Sequence, residues 1–313
     1  MRSSSIFGLL FLSAGLLALS GCNKGQGFGP GGGGNDLRAY FEERVANATQ
    51  VFTVDGTTGG SIQGAQGVRV RFQMNAFRTQ TGAAVTGPVT VSMVEVLDIA
   101  DMILLNTTTV GNDNGITRML KSGGAVSVSA RQGNNELLLG PQGMQISMPT
   151  DDYDPNMGVF TANRTVGEDL VWEEEDSTAV DSTWIELPNG GVSIGYIFQV
   201  DSLQWINCDY FPFSASNTTI TASTPSDVPN DSTLVWFVFP DMNAVTSAYG
   251  AAPQTYTFGQ VPVGLQAVAV SLTRNGAQYR SAFTTFTTTT NGSVGLSYQP
   301  TTLQAFEAAV EAL

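Results

Sequence analysis

Asp152, Asp154 and Asn156 set side-chain oxygens at alternate positions of the loop Asp151-Asp152-Tyr153-Asp154-Pro155-Asn156, with Gly158 close behind. Oxygens two residues apart open a calcium-binding loop, where they converge on a hard cation. The pattern departs from a full calcium loop in three ways. The glycine falls one place late, Pro155 stiffens the loop, and position 163 carries Asn rather than a closing Glu. Calcium is thus the one cofactor the residues raise, and a solvated acidic turn is the competing reading. A second chemistry is sugar stacking. Trp172 and Trp184 could present flat rings to a glycan, with core or edge packing as the alternative for each. Trp205 and Trp236 stand among apolar neighbours and read as core.

Catalytic material is scarce. The chain contains no histidine, which removes Ser–His and Cys–His pairs and every imidazole metal ligand. Lysine occurs only at Lys24 and Lys121, neither in an S-x-x-K motif. No phosphate loop or dinucleotide fingerprint is present. A pair of carboxylates about 5–9.5 Å apart, as glycosidases use, could come from anywhere in the chain, yet most acids fall in turn signals where solvation accounts for them. Glu95, Asp98 and Asp101 share a face if that piece is helical; the competing reading is a polar rim after a strand. The expectation is a protein without enzymatic activity. With 27 acidic and 13 basic side chains and a net charge of −14, the basic footprint of a nucleic-acid binder is missing.

Location is more legible than chemistry. Met1–Ser5 is a polar start with one cation, and Ile6–Leu19 is an apolar run too short for a span of roughly 20 residues. The run ends in Leu19-Ser20-Gly21-Cys22, which resembles the lipobox of bacterial lipoproteins. That resemblance implies a leader over 1–21, removal of it, and lipidation of Cys22; an ordinary secretory leader with a chance cysteine is the competing reading. Each buried methylene contributes about 0.8 kcal/mol, so two or more acyl chains hold a protein stably to a membrane. Residues 22–35 carry NKGQGFGPGGGGN after the cysteine, a flexible tether. The implied place is the cell envelope, at the outer membrane or cell surface. Lipidation would leave Cys208 as the sole thiol, with no internal disulfide, and its apolar flanks argue for burial.

The elements that must carry these residues are mostly strands. Asp36 can cap a short helix over 36–50, with Leu37, Phe41 and Val45 on one face. Val68, Val70, Phe72 and Met74 alternate with polar residues, and Val89, Val91 and Met93 do the same. Asn112–Gly115 is a turn cluster, Gly133–Asn135 sits in a hairpin signal, and VSIGYIFQV at 192–200 reads as a strand. After Phe213 six short strands recur between Pro, Gly and Asn turns, of which Leu234–Phe239 is apolar throughout and central. Thr301 opens a capping-box pattern for a helix over 301–313, with Phe306, Val310 and Leu313 on one face.

The stretch GVRVRFQMNAF, then TGAAVTGPVTV, EVLDIADM and KSGGAVSVSA, looks like the ZU5-like β-domain of uncharacterised bacterial surface lipoproteins, as does WINCD at 205–209. The resemblance implies a β-sandwich and an envelope location, and no established activity. Self-cleavage at a His-Phe-Ser site, known in some ZU5 proteins, does not carry over to a chain without histidine. The expected architecture is all-β: a ZU5-like sandwich over 51–212 including an irregular acidic segment, then an immunoglobulin-like or transthyretin-like sandwich over 213–300. The expected function is display of a structural or protein-interaction surface, with a surface carbohydrate-binding module as the alternative. Its partners would be the membrane, through lipid on Cys22, and an envelope protein or glycan.

Overall fold

The computed structural model describes residues 35–162, 170–176 and 178–313. The leader, Cys22, the tether, the Asp36 side chain and Asn163 lie outside that description. The chain is all-β with a few short helices. Most of its strands up to Tyr210 form two antiparallel sheets, beside two ribbons, Phe77–Arg78 with Leu138–Leu139 and Val110–Asp113 with Ile116–Met119. The first inner sheet runs Gln50–Asp55, Pro88–Val96, Lys121–Gln132, Trp205–Tyr210, Gly158–Ala162, Glu173–Glu174. The first outer sheet runs Asp181–Glu186, Val192–Val200, Met144–Pro149, Arg69–Phe72, Gly60–Gln63. The period-two alternation turns Val91, Met93, Val126 and Ile206 of one toward Val70, Phe72, Ile146 and Phe198 of the other.

The remaining strands form a second pair. The second inner sheet runs Ala244–Ser247, Thr233–Phe239, Gln266–Asn275, Gln278–Thr287, Gln299–Thr301, and the second outer sheet Tyr249–Ala252, Thr255–Pro262, Asn217–Ser223, Ser293–Gly295. Val235, Phe237 and Phe239 fill its core with Ile220, Ala222 and Phe258.

A third core joins the two sandwiches. The far faces of both inner sheets close on three helices: α1 (Asn35–Ala48), α2 (Ile99–Leu104) and α3 (Leu303–Val310). Val94, Val96, Phe160 and Trp205 enter it from one side, and Trp236, Val238 and Val270 from the other. Leu37 and Phe41 of α1 are buried here, Phe41 lying edge-on to Trp236 with centroids 6.0 Å apart. Tyr40 donates to Glu307 at 2.8 Å and Arg44 pairs with Glu307 at 3.3 Å, fixing α1 to α3. The shared core explains why Thr233–Phe239 is apolar at every position. Leu234, Trp236 and Val238 face the helices while Val235, Phe237 and Phe239 face the private core. None of the described helices is long and apolar enough to cross a membrane.

Several expectations need correction. Met74 is exposed, because the strand ends at Phe72 and the chain turns through Asn75 at φ 54°. Thr302, not Thr301, caps α3: its Oγ1 accepts from the Ala305 N–H at 3.1 Å, while Thr301 ends a strand. Leu313 is exposed, since α3 stops at Val310. The last of the strands expected after Phe213 is short, Ser293–Gly295, and Tyr298 beyond it shares a 2.6 Å hydrogen bond with Ser271.

Candidate functional site

Where the two halves meet, a cleft of about 440 Å³ opens, within the range of small-molecule sites. The first half supplies Gln66, Leu97, Asp98, Lys121, Ser122, Gly123, the loop Pro149–Asp152, Leu187 and Ser193; the second supplies Pro240, Asp241 and Asn243. The contribution from the second half depends on a tight turn. Pro240–Met242 is a 3₁₀ turn, and Asn243 follows in the left-handed region at φ 43°, a conformation Asn tolerates better than most residues. Its Nδ2 then donates to the Leu97 carbonyl at 2.9 Å and the Ser122 carbonyl at 3.3 Å, tying the turn to the cleft floor.

Lys121 begins a strand of the first inner sheet and is largely buried at one side of the cleft. Its Nζ lies 3.1 Å from Asp152 Oδ2 and 3.3 Å from Asp154 Oδ2. An internal ammonium thus stands against two of the three residues that suggested calcium. Asn156, the third, donates to Asp154 through both its backbone N–H and its Nδ2. Among the described residues no group of three or more Asp, Glu, Cys or His is placed to hold a metal. Burial works against the Asp154 charge, but the bonds from Asn156 and Lys121 outweigh it and hold the carboxyl below its usual range. Burial likewise opposes the Lys121 charge, and the two aspartates overcome it and raise its pKa. Tyr196 braces the loop by accepting from the Asp154 N–H at 2.8 Å, and burial pushes its phenol up to about 12.

Behind Ser122 lies a buried acid that no sequence pattern announced. Asp209 faces Ser122 across the ladder, so the two side chains leave the same face of the sheet. Asn207 Nδ2 donates to Asp209 Oδ2 at 2.5 Å, and Ser122 Oγ reaches Asn207 Oδ1 at 3.4 Å. Asp209 Oδ1 has no hydrogen-bond partner. Burial pushes this carboxyl well above its usual range, and the nearby Ser122 hydroxyl, Asn207 amide and Gly123 N–H offset it only in part. The available signal was polarity at alternate positions: Asn207 and Asp209 interrupt a run whose Ile206 and Cys208 face the first core. Cys208 is a free buried thiol with its pKa pushed up by burial and by Asp209, which makes it inert.

The acids near α2 divide by role. Glu95 is not a polar rim. It is buried and accepts from the Gln66 and Val68 N–H groups at 2.9 and 2.8 Å and from Gln50 Nε2 at 2.8 Å. A Cβ at Gly64 would come within 2.3 Å of that carboxylate, so the clamp requires glycine there. Asp98 caps α2 by accepting from the Asp101 N–H at 2.9 Å. Burial, helped by Asp98 and Glu95, raises the Asp101 pKa against a hydrogen bond from Gln66.

The two tryptophans separate. Trp172 is fully buried and donates to the Thr108 carbonyl at 2.7 Å, so it offers no surface to a glycan. It bridges to Gly111 and fills the shared core, which its neighbour Glu173 concealed. Trp184, on the edge strand of the first outer sheet, is 75% exposed and pairs with Ile194. Compared with protein-family models and with curated proteins, the chain matches none.

Proposed function

We propose that this chain is a non-enzymatic, lipid-anchored envelope protein that presents a protein-interaction surface, its first half a ZU5-like β-domain. The anchor rests on Leu19-Ser20-Gly21-Cys22 and the glycine tether, and the lack of catalytic activity on a sequence without histidine, which leaves a serine or cysteine no imidazole base. The observation that carries the interaction surface is the seam. Two sandwiches share one helix-filled core, and a polar cleft opens where they meet. Such a joint holds groups from both halves in fixed relation, which suits recognition. Growth with radiolabelled palmitate tests the anchor: label should enter the protein and vanish in Cys22→Ala. A pull-down from envelope extract tests the partner, and recovery of the bait alone would count against it.

Exposed Trp184 favours one second reading, a carbohydrate-binding module, because an unshielded indole face stacks on sugar rings. Glycan-array binding lost in Trp184→Ala would support it, and a blank array would retire it.

A further inference from the structure

Trp184 is not an isolated exposed side chain. Its strand, Asp181–Glu186, pairs with Val192–Val200 so that Trp184 stands opposite Ile194, with Val192 one diagonal step away on the same face. The ring is 75% exposed and Val192 64%, while Ile194 is partly covered. On the other face of the strand Ile185 is buried against Gly195, where a Cβ would not fit. The hairpin thus presents an indole beside two aliphatic side chains on a fixed base, with Ser182 and Glu186 flanking the ring along its own strand.

Three kinds of partner could cover such a strip, and two are disfavoured. Asp181–Glu186 is an edge strand, but a second copy added antiparallel in full register would set Asp181 opposite Glu186 at each end, and like charges directly opposite repel. A glycan needs hydrogen-bonding groups around the ring, yet across the ladder the ring meets Ile194 and Val192. The third partner is a lipid surface, where indole rings settle with the apolar body toward the acyl chains and the N–H among the headgroups. The chain preceding the described residues brings that surface near. Residues 22–34 join the expected lipid on Cys22 to Asn35 and reach about 45 Å at full extension, close to the width of about 50 Å of a folded body of this length. A body held so near a bilayer meets it at an effective concentration in the millimolar range, where a patch too weak to bind alone will dock.

We infer that the Trp184 hairpin is a second membrane contact, which lays the body of the lipid-anchored protein against the headgroup layer of a zwitterionic bilayer. The inference rests on the anchor reading and adds the face that the body turns to the membrane. A net charge of −14 opposes docking on anionic lipid. A ring seated among headgroups is also closed to sugars, so this contact and the carbohydrate reading exclude each other.

Tryptophan emission of the full-length lipidated protein tests this, in phosphatidylcholine vesicles with and without bromine on the upper acyl carbons. Trp172, Trp205 and Trp236 are buried, so Trp184 is the ring that lipid can reach. Brominated lipid should quench the wild type, and Trp184→Phe should lose most of that quenching. Val192→Ser should cut it about twofold by shrinking the apolar strip. Phe213→Ser removes a 94% exposed ring outside the hairpin and should leave quenching unchanged. The inference is overturned by an absence of quenching, by quenching that survives Trp184→Phe, or by an equal loss in Phe213→Ser. Quenching relieved by cellotetraose would overturn it in favour of a glycan, and quenching seen only at high protein density on the vesicle in favour of a second copy. Flotation of the same vesicles reports the anchor by itself. Protein that floats unquenched keeps the anchor and loses the hairpin contact, and protein that does not float loses both.

Discussion

Asp154 stands beside Lys121 and Asp209 opposite Ser122, the next residue of the same strand, and their chemistry is opposite. Asp154 has an ammonium at 3.3 Å and two donors from Asn156, and its carboxyl ionises more readily than an ordinary aspartate. Asp209 has amide and hydroxyl neighbours but no cation, and burial pushes its carboxyl well above the usual range. Asp209 is completely buried and Asp154 only partly, so burial and the missing cation push the two acids apart in the same direction. A buried carboxylate keeps its charge when a partner charge and enough donors replace water, and otherwise stays neutral.

Removing the cation should make the first acid resemble the second. Lys121→Met leaves Asp152 and Asp154 without their partner and should destabilise the protein by about 1–3 kcal/mol at pH 7, since the site is only partly buried. Asp154 has a lowered folded pKa, so its contribution is present above the unfolded value of about 3.9 and is lost as pH falls through the folded one. The gap in urea midpoint between wild type and Lys121→Met should therefore be full at pH 7 and close under acid. A constant gap would show that the ammonium acts only by packing.

The converse change addresses the second acid. Asp209→Asn keeps the shape, removes the ionisable proton and should stabilise the fold by about 1–2 kcal/mol at pH 7. Here the folded pKa is raised, so wild-type stability from this group is greatest below the unfolded value of about 3.9 and declines as pH rises toward the folded one. The advantage of Asp209→Asn should be small near pH 4 and widen toward neutrality. Denaturation at both pH values checks the sign, and a loss of stability at neutral pH would show that Asp209 is ionised in the fold. A site that retains a destabilising acid is a functional candidate for that reason.

How much of this was legible in the residues depended on what each one had to satisfy. Leu234–Phe239 showed a central strand because both of its faces are buried, one in each of two cores, and apolar burial leaves a direct mark on sequence. Leu37 and Phe41 likewise showed the buried face of α1, although nothing local revealed that the face belongs to a core shared by both sandwiches. Trp172 misled because Glu173 beside it is exposed; alternation in an extended segment puts neighbours on opposite faces. The cleft was hidden for a different reason. Lys121, Asp152, Ser193 and Asn243 come from distant segments, and only the pairing of strands and the joining of the two halves brings them together.

Asn243 tests whether the environment of the two acids depends on that joining. Asn243→Gly preserves the left-handed backbone while deleting the amide that bonds the Leu97 and Ser122 carbonyls. A cost of about 1 kcal/mol is expected. Hydrogen exchange should quicken at the start of the strand Lys121–Gln132, and unchanged protection there would show that the second half does not hold the cleft floor.

The smallest expected effect concerns calcium. With the Lys121 ammonium between Asp152 and Asp154, and Asn156 turned to donate to Asp154, an incoming metal would have to displace a cation held by two carboxylates. It would also have to attract ligands from a loop stiffened by Pro155. Sites that bind calcium weakly do so at about 10⁻⁴–10⁻³ M, and this loop should fall short even of that. Titration of the wild-type protein with millimolar calcium should give no heat beyond dilution. Lys121→Met, which frees the same oxygens, should give a small one, so that the lysine itself, rather than the loop's spacing, is what excludes the metal. Heat in the wild type that disappears in Asp152→Ala would reverse that assignment and restore the loop as a metal site.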